Sequence, residues 1–262
     1  MTCSDRCPSL ASRLGSVWYR HFRTYTKDLV SNGFPPFMEP LIFLAGMGLG
    51  MAQYVPGLAG MSYLQFLASA LVMTSAMFTA SFECTYGTFV RLEFDKTYDG
   101  MLAAPLSVAD VMVGEALWAG TKGAFFSLAV LLVISAFGLA ELGPALLLTP
   151  AVGFLTGFLF GAIGLLVTSF VTNMNHFNFF FTGLLSPMFM FCGTVFPIEN
   201  LPGPLQVLAE ILPLTHPVRL GRAAALGSGW KASLLLDLAY TAGVAALAMY
   251  LAARRLERRI VK

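Results

Sequence analysis

Charge is what this sequence has least of. Asp, Glu, Lys and Arg make up 11% of its 262 residues, against ~25% in an ordinary soluble domain. With 57% apolar residues, 23 of them Phe, a soluble core of this size could not absorb the apolar surface. Cysteine is also scarce. Cys3, Cys7, Cys84 and Cys192 have neither metal-ligand nor disulfide-framework spacing, which argues against a zinc module or a cross-linked scaffold. The three histidines, His21, His176 and His216, are scattered, and neither H-E-x-x-H nor G-x-S-x-G occurs. No P-loop is present. Its nearest imitation, Gly114 to Lys122, has the wrong spacing and lies within an apolar run, where no helix N-terminus is free to cradle phosphates. The chain is therefore not expected to hydrolyse ATP alone. Catalytic residues, a bound metal and a nucleic-acid partner are not expected either.

What the sequence does have is long apolar runs. A backbone in lipid must satisfy its own hydrogen bonds, so such runs read as membrane helices. Six are expected, at about 37–54, 61–82, 110–137, 144–170, 177–195 and 232–252. The first 33 residues contain no early apolar core of signal-peptide length, so the first span is expected to be uncleaved. Within them, residues 10–31 form a basic amphipathic helix. Leu10, Leu14, Val17, Trp18, Phe22, Tyr25 and Leu29 share one side, and Arg13, Arg20, Arg23 and Lys27 the other. Such a helix suits the membrane interface. The expected organisation is an interfacial arm over 1–33, a six-helix transmembrane domain over 34–254 and a basic tail over 255–262.

The basic residues set the orientation. The N-terminal arm, the link after span two and the tail together hold twelve of the 16 Lys and Arg residues; the other side holds Arg219, Arg222 and Lys231. Both termini are thus expected in the cytoplasm. Two connections are more than turns. The cytoplasmic link from Thr88 to Ser107 carries Arg91, Glu93, Asp95, Lys96 and Asp99, and helical spacing aligns Phe94, Tyr98, Met101 and Leu102. Ser107 and Asp110 have the spacing of a capping box opening span three. The external link from Gly193 to Lys231 is mostly apolar and punctuated by prolines. It is expected to form short helices on, or dipping into, the outer membrane surface.

Gly153, Gly157 and Gly161 in span four, and Gly46 and Gly50 in span one, repeat at four-residue spacing. Such rows let helices approach closely, within one subunit or between two. Glu39 and Glu83 fall near the cytoplasmic edge, where water is within reach, and Asp237 near the outer edge. Glu115 and Lys122 share one face of span three. Intramembrane charges of this kind form a structural pair or line a polar path for a sugar-like or zwitterionic headgroup.

Several segments, taken in order, resemble a known family. They are Arg20-His21-Phe22-Arg23, Glu39-Pro40-Leu41-Ile42, Phe82-Glu83, Thr85 to Arg91, Lys96 to Leu102 with Pro105, and Gly114 to Ala119. Outside, Gly193-Thr194-Val195-Phe196-Pro197, Leu201-Pro202 and Leu212 to His216 complete the pattern. From Tyr19 to about Gly229 the chain is similar to type-2 ABC exporter permeases, in the nodulation protein J branch of lipo-oligosaccharide exporters. The resemblance implies an all-α integral membrane fold in the bacterial cytoplasmic (inner) membrane. It has six transmembrane helices, an N-terminal interfacial helix, a cytoplasmic coupling helix and external re-entrant helices. It also implies a second permease copy, as a homodimer, and a dimer of separate ABC ATPase subunits that bind ATP and Mg, with no cofactor in this chain. Arg91, Glu93, Phe94, Asp95, Lys96, Thr97, Tyr98, Asp99, Met101 and Leu102 map onto the ATPase-coupling segment. Membrane lipids and an amphiphile, such as a lipo-oligosaccharide or lipid-linked glycan, are the other expected partners.

A seam between two copies would give a large amphiphile room. Spans one, two and five are expected to line it, through Glu39, Gly46, Gly50, Ser69, Thr74, Thr79, Phe177, Phe180, Phe181 and Phe189. The same architecture could carry a hydrophobic drug, a plain lipid or a polysaccharide. An ion-coupled secondary transporter is a remoter alternative, because it needs midplane carboxylates and internal repeats.

Overall fold

The computed structural model describes residues 8–28, 33–34, 38, 40–52, 54–55, 57–58, 60–140, 143, 145–227 and 232–260. Glu39, Cys3, Cys7 and Lys231 lie outside them. Among the described residues the chain is helical, and four helices are long and apolar enough to cross a membrane. These are α3 (Tyr63–Phe94), α5 (Val108–Ala136), α6 (Leu147–Phe170, whose helix begins at Ala145) and α10 (Ala232–Ile260). The expected first and fifth spans take a shorter form. α2 is an apolar helix over Pro40–Leu49 that continues through Gly50–Ala52. α7 runs over 177–191, with a π-turn at Phe181–Leu185 between two α segments.

The amphipathic helix α1 spans Leu10–Lys27, with the Ser9 hydroxyl capping the Ser12 amide. Its apolar side is covered in part: Val17 is buried, Leu14, Trp18 and Tyr25 are half-buried, and Leu10 and Phe22 stay exposed. Val17 is buried against α5, where Gly114 leaves room for it: a Cβ there would lie 2.5 Å from Val17 Cγ1. Arg13 pairs with Asp110 at 2.6 Å, and Trp18 Nε1 donates to Thr121 at 2.9 Å. Trp18, Phe22 and Tyr25 surround Trp118 edge-on. The arm is therefore anchored to α5 by packing and polar contacts.

α3 is the central helix. It opens with a capping box between Ser62 and Gln65, and nearly all of its first twenty residues are buried. It runs twelve residues past the expected end of span two, through π-turns at Glu83–Gly87 and Val90–Phe94. Lys96, in the left-handed conformation (φ 50°), breaks it from α4 (Thr97–Leu102). The break corrects one expectation: Phe94 does not continue the face of Tyr98, Met101 and Leu102. Phe94 is exposed and Tyr98 is buried. α5 opens with the expected capping box between Ser107 and Asp110.

Close approach of α5 and α6 rests on glycine. A Cβ on Gly123 would meet the Gly153 carbonyl oxygen at 2.5 Å, and one on Gly157 the Ala119 oxygen at 2.6 Å. Apolar side chains gain little by leaving lipid for a helix interface, so backbone proximity and dispersion hold such pairs. The span-four glycine row is thus used within the chain. A Cβ on Gly46 or Gly50 would meet nothing within 4 Å, so the span-one pair serves no close helix approach among the described residues. α10 lies on α6 and α5 and is helical to Ile260. Arg259 donates to the Thr168 and Val171 carbonyls at 2.6 and 2.8 Å and to Glu93 at 2.8 Å. A cation at the end of α6 satisfies its last carbonyls and favours its dipole.

The external link folds into α8 (Gly203–Ile211) and α9 (Thr215–Ala225). α9 packs on α3, α6 and α10. His216 joins them to α10: its Nδ1 lies 2.6 Å from Asp237 and its Nε2 3.0 Å from the Glu210 carbonyl oxygen. Arg219 bridges Glu210 and Asp237, and the Tyr240 ring covers the imidazole. The His216–Asp237 pairing joins residues 21 apart in sequence, which periodicity along one helix does not reveal.

Candidate functional site

A polar cluster sits where α1, α3, α4 and α5 meet. Eight residues along a straight α-helix leave two side chains about 80° apart. The π-turn at Glu83–Gly87 alters that phase, and Arg91 Nη1 reaches Glu83 at 2.9 Å. π-turns of this kind often mark functional positions. Arg91 also holds Glu115 of α5 at 2.6 Å. The Tyr98 hydroxyl of α4 donates to Glu115 at 2.6 Å, the Thr88 hydroxyl approaches it at 3.3 Å, and His21 of α1 lies 3.1 Å away. Lys122 of α5 pairs with the second oxygen of Glu83 at 2.9 Å and lies over the Tyr25 ring. Glu115 and Lys122 do share a helix face, but each finds its partner on α3. Burial, reinforced by the adjacent Glu115 carboxylate, holds the Tyr98 phenol well above its ordinary pKa, so it stays a donor.

This arrangement places the expected coupling residues in two groups. Arg91 and Tyr98 are turned inward and paired, Glu93 is tied to Arg259, and Thr97, Met101 and Leu102 are half-buried. Phe94, Asp95, Lys96 and Asp99 are exposed. The outward group offers a surface, and the inward group fixes that surface to the transmembrane helices. His21, Glu83 and Glu115 bring ligand-type atoms within 4.8 Å of one another. Arg91 and Lys122 already neutralise both carboxylates, and a metal ion there would face two fixed cations. The set does not fit a metal.

The cluster borders a cavity of about 890 Å³. α3 supplies its longest wall, with Leu71, Thr74, Ser75, Phe78, Thr79, Phe82, Glu83 and Gly87. At 1.5 Å per residue that wall extends about 24 Å. Pro40 and Phe43 of α2 close one side; Thr182, Ser186, Pro187, Phe189, Met190 and Phe191 of α7 close another; Lys122 enters from α5. Most of the surface is apolar, and Glu83 and Lys122 put charge at one end.

Of the expected pathway residues, Thr74, Thr79 and Phe189 line this cavity. Ser69 does not; its hydroxyl receives Arg222 Nε at 3.1 Å. Phe177 is buried with Phe89 and Val171, Phe180 is buried, and Phe181 stacks on Phe82 with ring centres 4.3 Å apart. Gly46 and Gly50 are exposed on α2 and are not among the lining residues. Ser75, Glu83, Ser186 and Lys122 also line the cavity; of the charged face of span three, Lys122 reaches it and Glu115 does not. The four-residue spacing of Ser75, Thr79, Glu83 and Gly87 was the available signal.

Among the described residues, four long apolar helices and two shorter ones define a multi-pass membrane protein, with buried charge bordering a cavity. The ABC-2 type transporter family matches residues 12–226. Nodulation protein J of Sinorhizobium fredii is 34% identical over 211 residues, covering 80% of each chain. That of Rhizobium leguminosarum bv. trifolii is 35% identical over 212 residues, 81% of this chain and 80% of its own. The inner membrane transport permease YadH of Escherichia coli is 22% identical over 214 residues, 82% of this chain and 83% of its own. The chain belongs to the ABC-2 type transporter family, as a permease of the nodulation protein J-like branch. Membership implies association with an ABC ATPase.

Proposed function

We propose that this chain is the transmembrane subunit of an ATP-driven exporter that moves an amphiphile, such as a lipo-oligosaccharide or lipid-linked glycan, across the cytoplasmic membrane. The observation that carries the reading is the cavity between α2, α3 and α7, mostly apolar and charged at one end by Glu83 and Lys122. An acyl chain suits the former and a polar headgroup the latter. α2 and α7 complete six crossings around it, and both termini face the cytoplasm. Residues 1–33 form the interfacial arm, 34–254 the permease and 255–262 the basic tail.

In this reading α4 and the turn before it dock on the ATPase through Phe94, Asp95, Lys96 and Asp99, which are exposed. ATP and Mg are bound by the partner, and a second copy of this chain completes the pathway. α8 and α9 dip into the outer surface. Closure of the ATPase dimer would move α4, and the Tyr98–Glu115 bond would pass the motion to α5. The test is ATP turnover by the permease reconstituted with its ATPase in lipid. A lipo-oligosaccharide should raise turnover above that with its free acyl chain or its free glycan. Equal stimulation by a headgroup-free hydrophobic drug or by a free polysaccharide would instead favour those cargoes.

A further inference from the structure

The charged end of the cavity is more selective than an open polar surface. Glu83, Glu115, Arg91 and Lys122 form two carboxylates and two cations linked by contacts of 2.6 to 2.9 Å. The cluster is charge-balanced before any ligand arrives. An anionic group approaching Lys122 would have to compete with Glu83, and a cationic group approaching Glu83 would compete with Lys122 and Arg91. An uncharged hydroxyl faces no such conflict. It can donate to a Glu83 oxygen and accept from the ammonium, which has three donors.

Thr79 supplies a second, independent observation. Thr74 and Ser75 return their hydroxyls to the helix, to the Leu71 carbonyl at 3.2 Å and the Val72 carbonyl at 2.8 Å, the usual resort of such side chains. Thr79 lines the same cavity one turn from Glu83 and is 3% exposed, yet its Oγ1 finds no partner among the described residues. A buried hydroxyl left unpaired is costly.

We infer that Thr79, Glu83 and Lys122 form a headgroup subsite for an uncharged, polyhydroxyl group, which discriminates against phosphorylated and cationic headgroups. The inference rests on the export reading above and adds the charge class of the cargo. Phe43, Phe78 and Phe189 border the same cavity and would take the chain of the amphiphile.

The test uses the full permease in lipid nanodiscs with its ATPase. Binding is measured for four probes sharing one alkyl chain: dodecyl maltoside, monododecanoyl glycerol, dodecyl phosphate and dodecyltrimethylammonium. Wild type should bind at least one of the neutral pair more tightly than either charged probe. The stronger of the two assigns the headgroup to a sugar or to glycerol. Thr79→Val, which keeps the shape, should weaken that probe by about fivefold to tenfold, the effect of one hydrogen bond, while dodecyl phosphate stays unchanged. Thr79→Ser should restore binding and guards against a folding defect. Equal or tighter binding of a charged probe, or neutral binding indifferent to Thr79→Val, would overturn the subsite. If amphiphiles still stimulate ATP turnover in that case, the export reading survives alone. If no amphiphile does, the export reading has failed as well.

Discussion

Tyr98→Phe is the cleanest perturbation of the link between α4 and the transmembrane helices. It removes one oxygen from a ring that is 1% exposed and leaves the packing in place. The lost bond is the 2.6 Å donation to Glu115. A hydrogen bond to a charged acceptor contributes about 1.5–3 kcal/mol. Glu115 keeps Arg91 at 2.6 Å and His21 at 3.1 Å, so no buried charge is orphaned and the cost stays within that range. Glu115→Ala, by contrast, strips Arg91 of one of two carboxylates and should cost about 3–5 kcal/mol. For Tyr98→Phe the loss is local to α4. At about 1.4 kcal/mol per tenfold, amide exchange across 97–102 should rise by about tenfold to a hundredfold. The raised pKa of the phenol keeps it protonated, so the difference should be flat over roughly pH 6–9. Hydrogen exchange read by mass spectrometry on the permease in nanodiscs measures this directly. Unchanged exchange in α4, or an equal rise in α6, would refute the idea that this bond fastens α4.

The glycine rows give a paired expectation. Gly157→Val drives a side chain into the Ala119 carbonyl and should cost at least about 1–3 kcal/mol, seen as a lower Tm. Gly46→Ala adds a Cβ with nothing within 4 Å and should not lower the Tm of the isolated chain; a large drop would show intrachain packing there. Asp99→Lys reverses an exposed charge on α4 and should reduce co-purification of the ATPase without affecting membrane insertion, and undiminished co-purification would count against docking at that helix. Cysteine introduced at Glu199, an exposed residue before α8, should react with an impermeant thiol reagent from outside the cell. Labelling only from the cytoplasm would reverse the topology.

The long apolar helices were legible because hydropathy over twenty residues is a strong signal. The opening of α5 was legible for another reason: the Ser107–Asp110 capping box is a local pattern, and the structure contains it. What escaped was phase and partnership. The sequence reads as a cytoplasmic link from Thr88 onward because Arg91 and Glu93 are charged, yet α3 continues to Phe94 with Arg91 paired inward and Glu93 held by Arg259. Phase was lost again at Lys96, whose left-handed backbone turns Tyr98 inward while Phe94 stays out. A π-turn leaves no simple mark in composition. Half of the polar cluster was visible as charge in or near spans, at Glu83, Glu115 and Lys122. Its wiring depends on which helices are neighbours, which periodicity along one helix does not reveal. The pathway residues divide in the same way: Thr74, Thr79 and Phe189 face the cavity, whereas Ser69 turns to Arg222.

If this chain forms the membrane passage of a pump driven by a separate ATPase, it should not transport alone. Uptake of a fluorescent lipo-oligosaccharide into inside-out vesicles containing the permease, with and without that ATPase, measures this. Uptake that needs both proteins and ATP is the expected result. Uptake by the permease alone driven by an ion gradient, or no uptake with both proteins and ATP present, would contradict it.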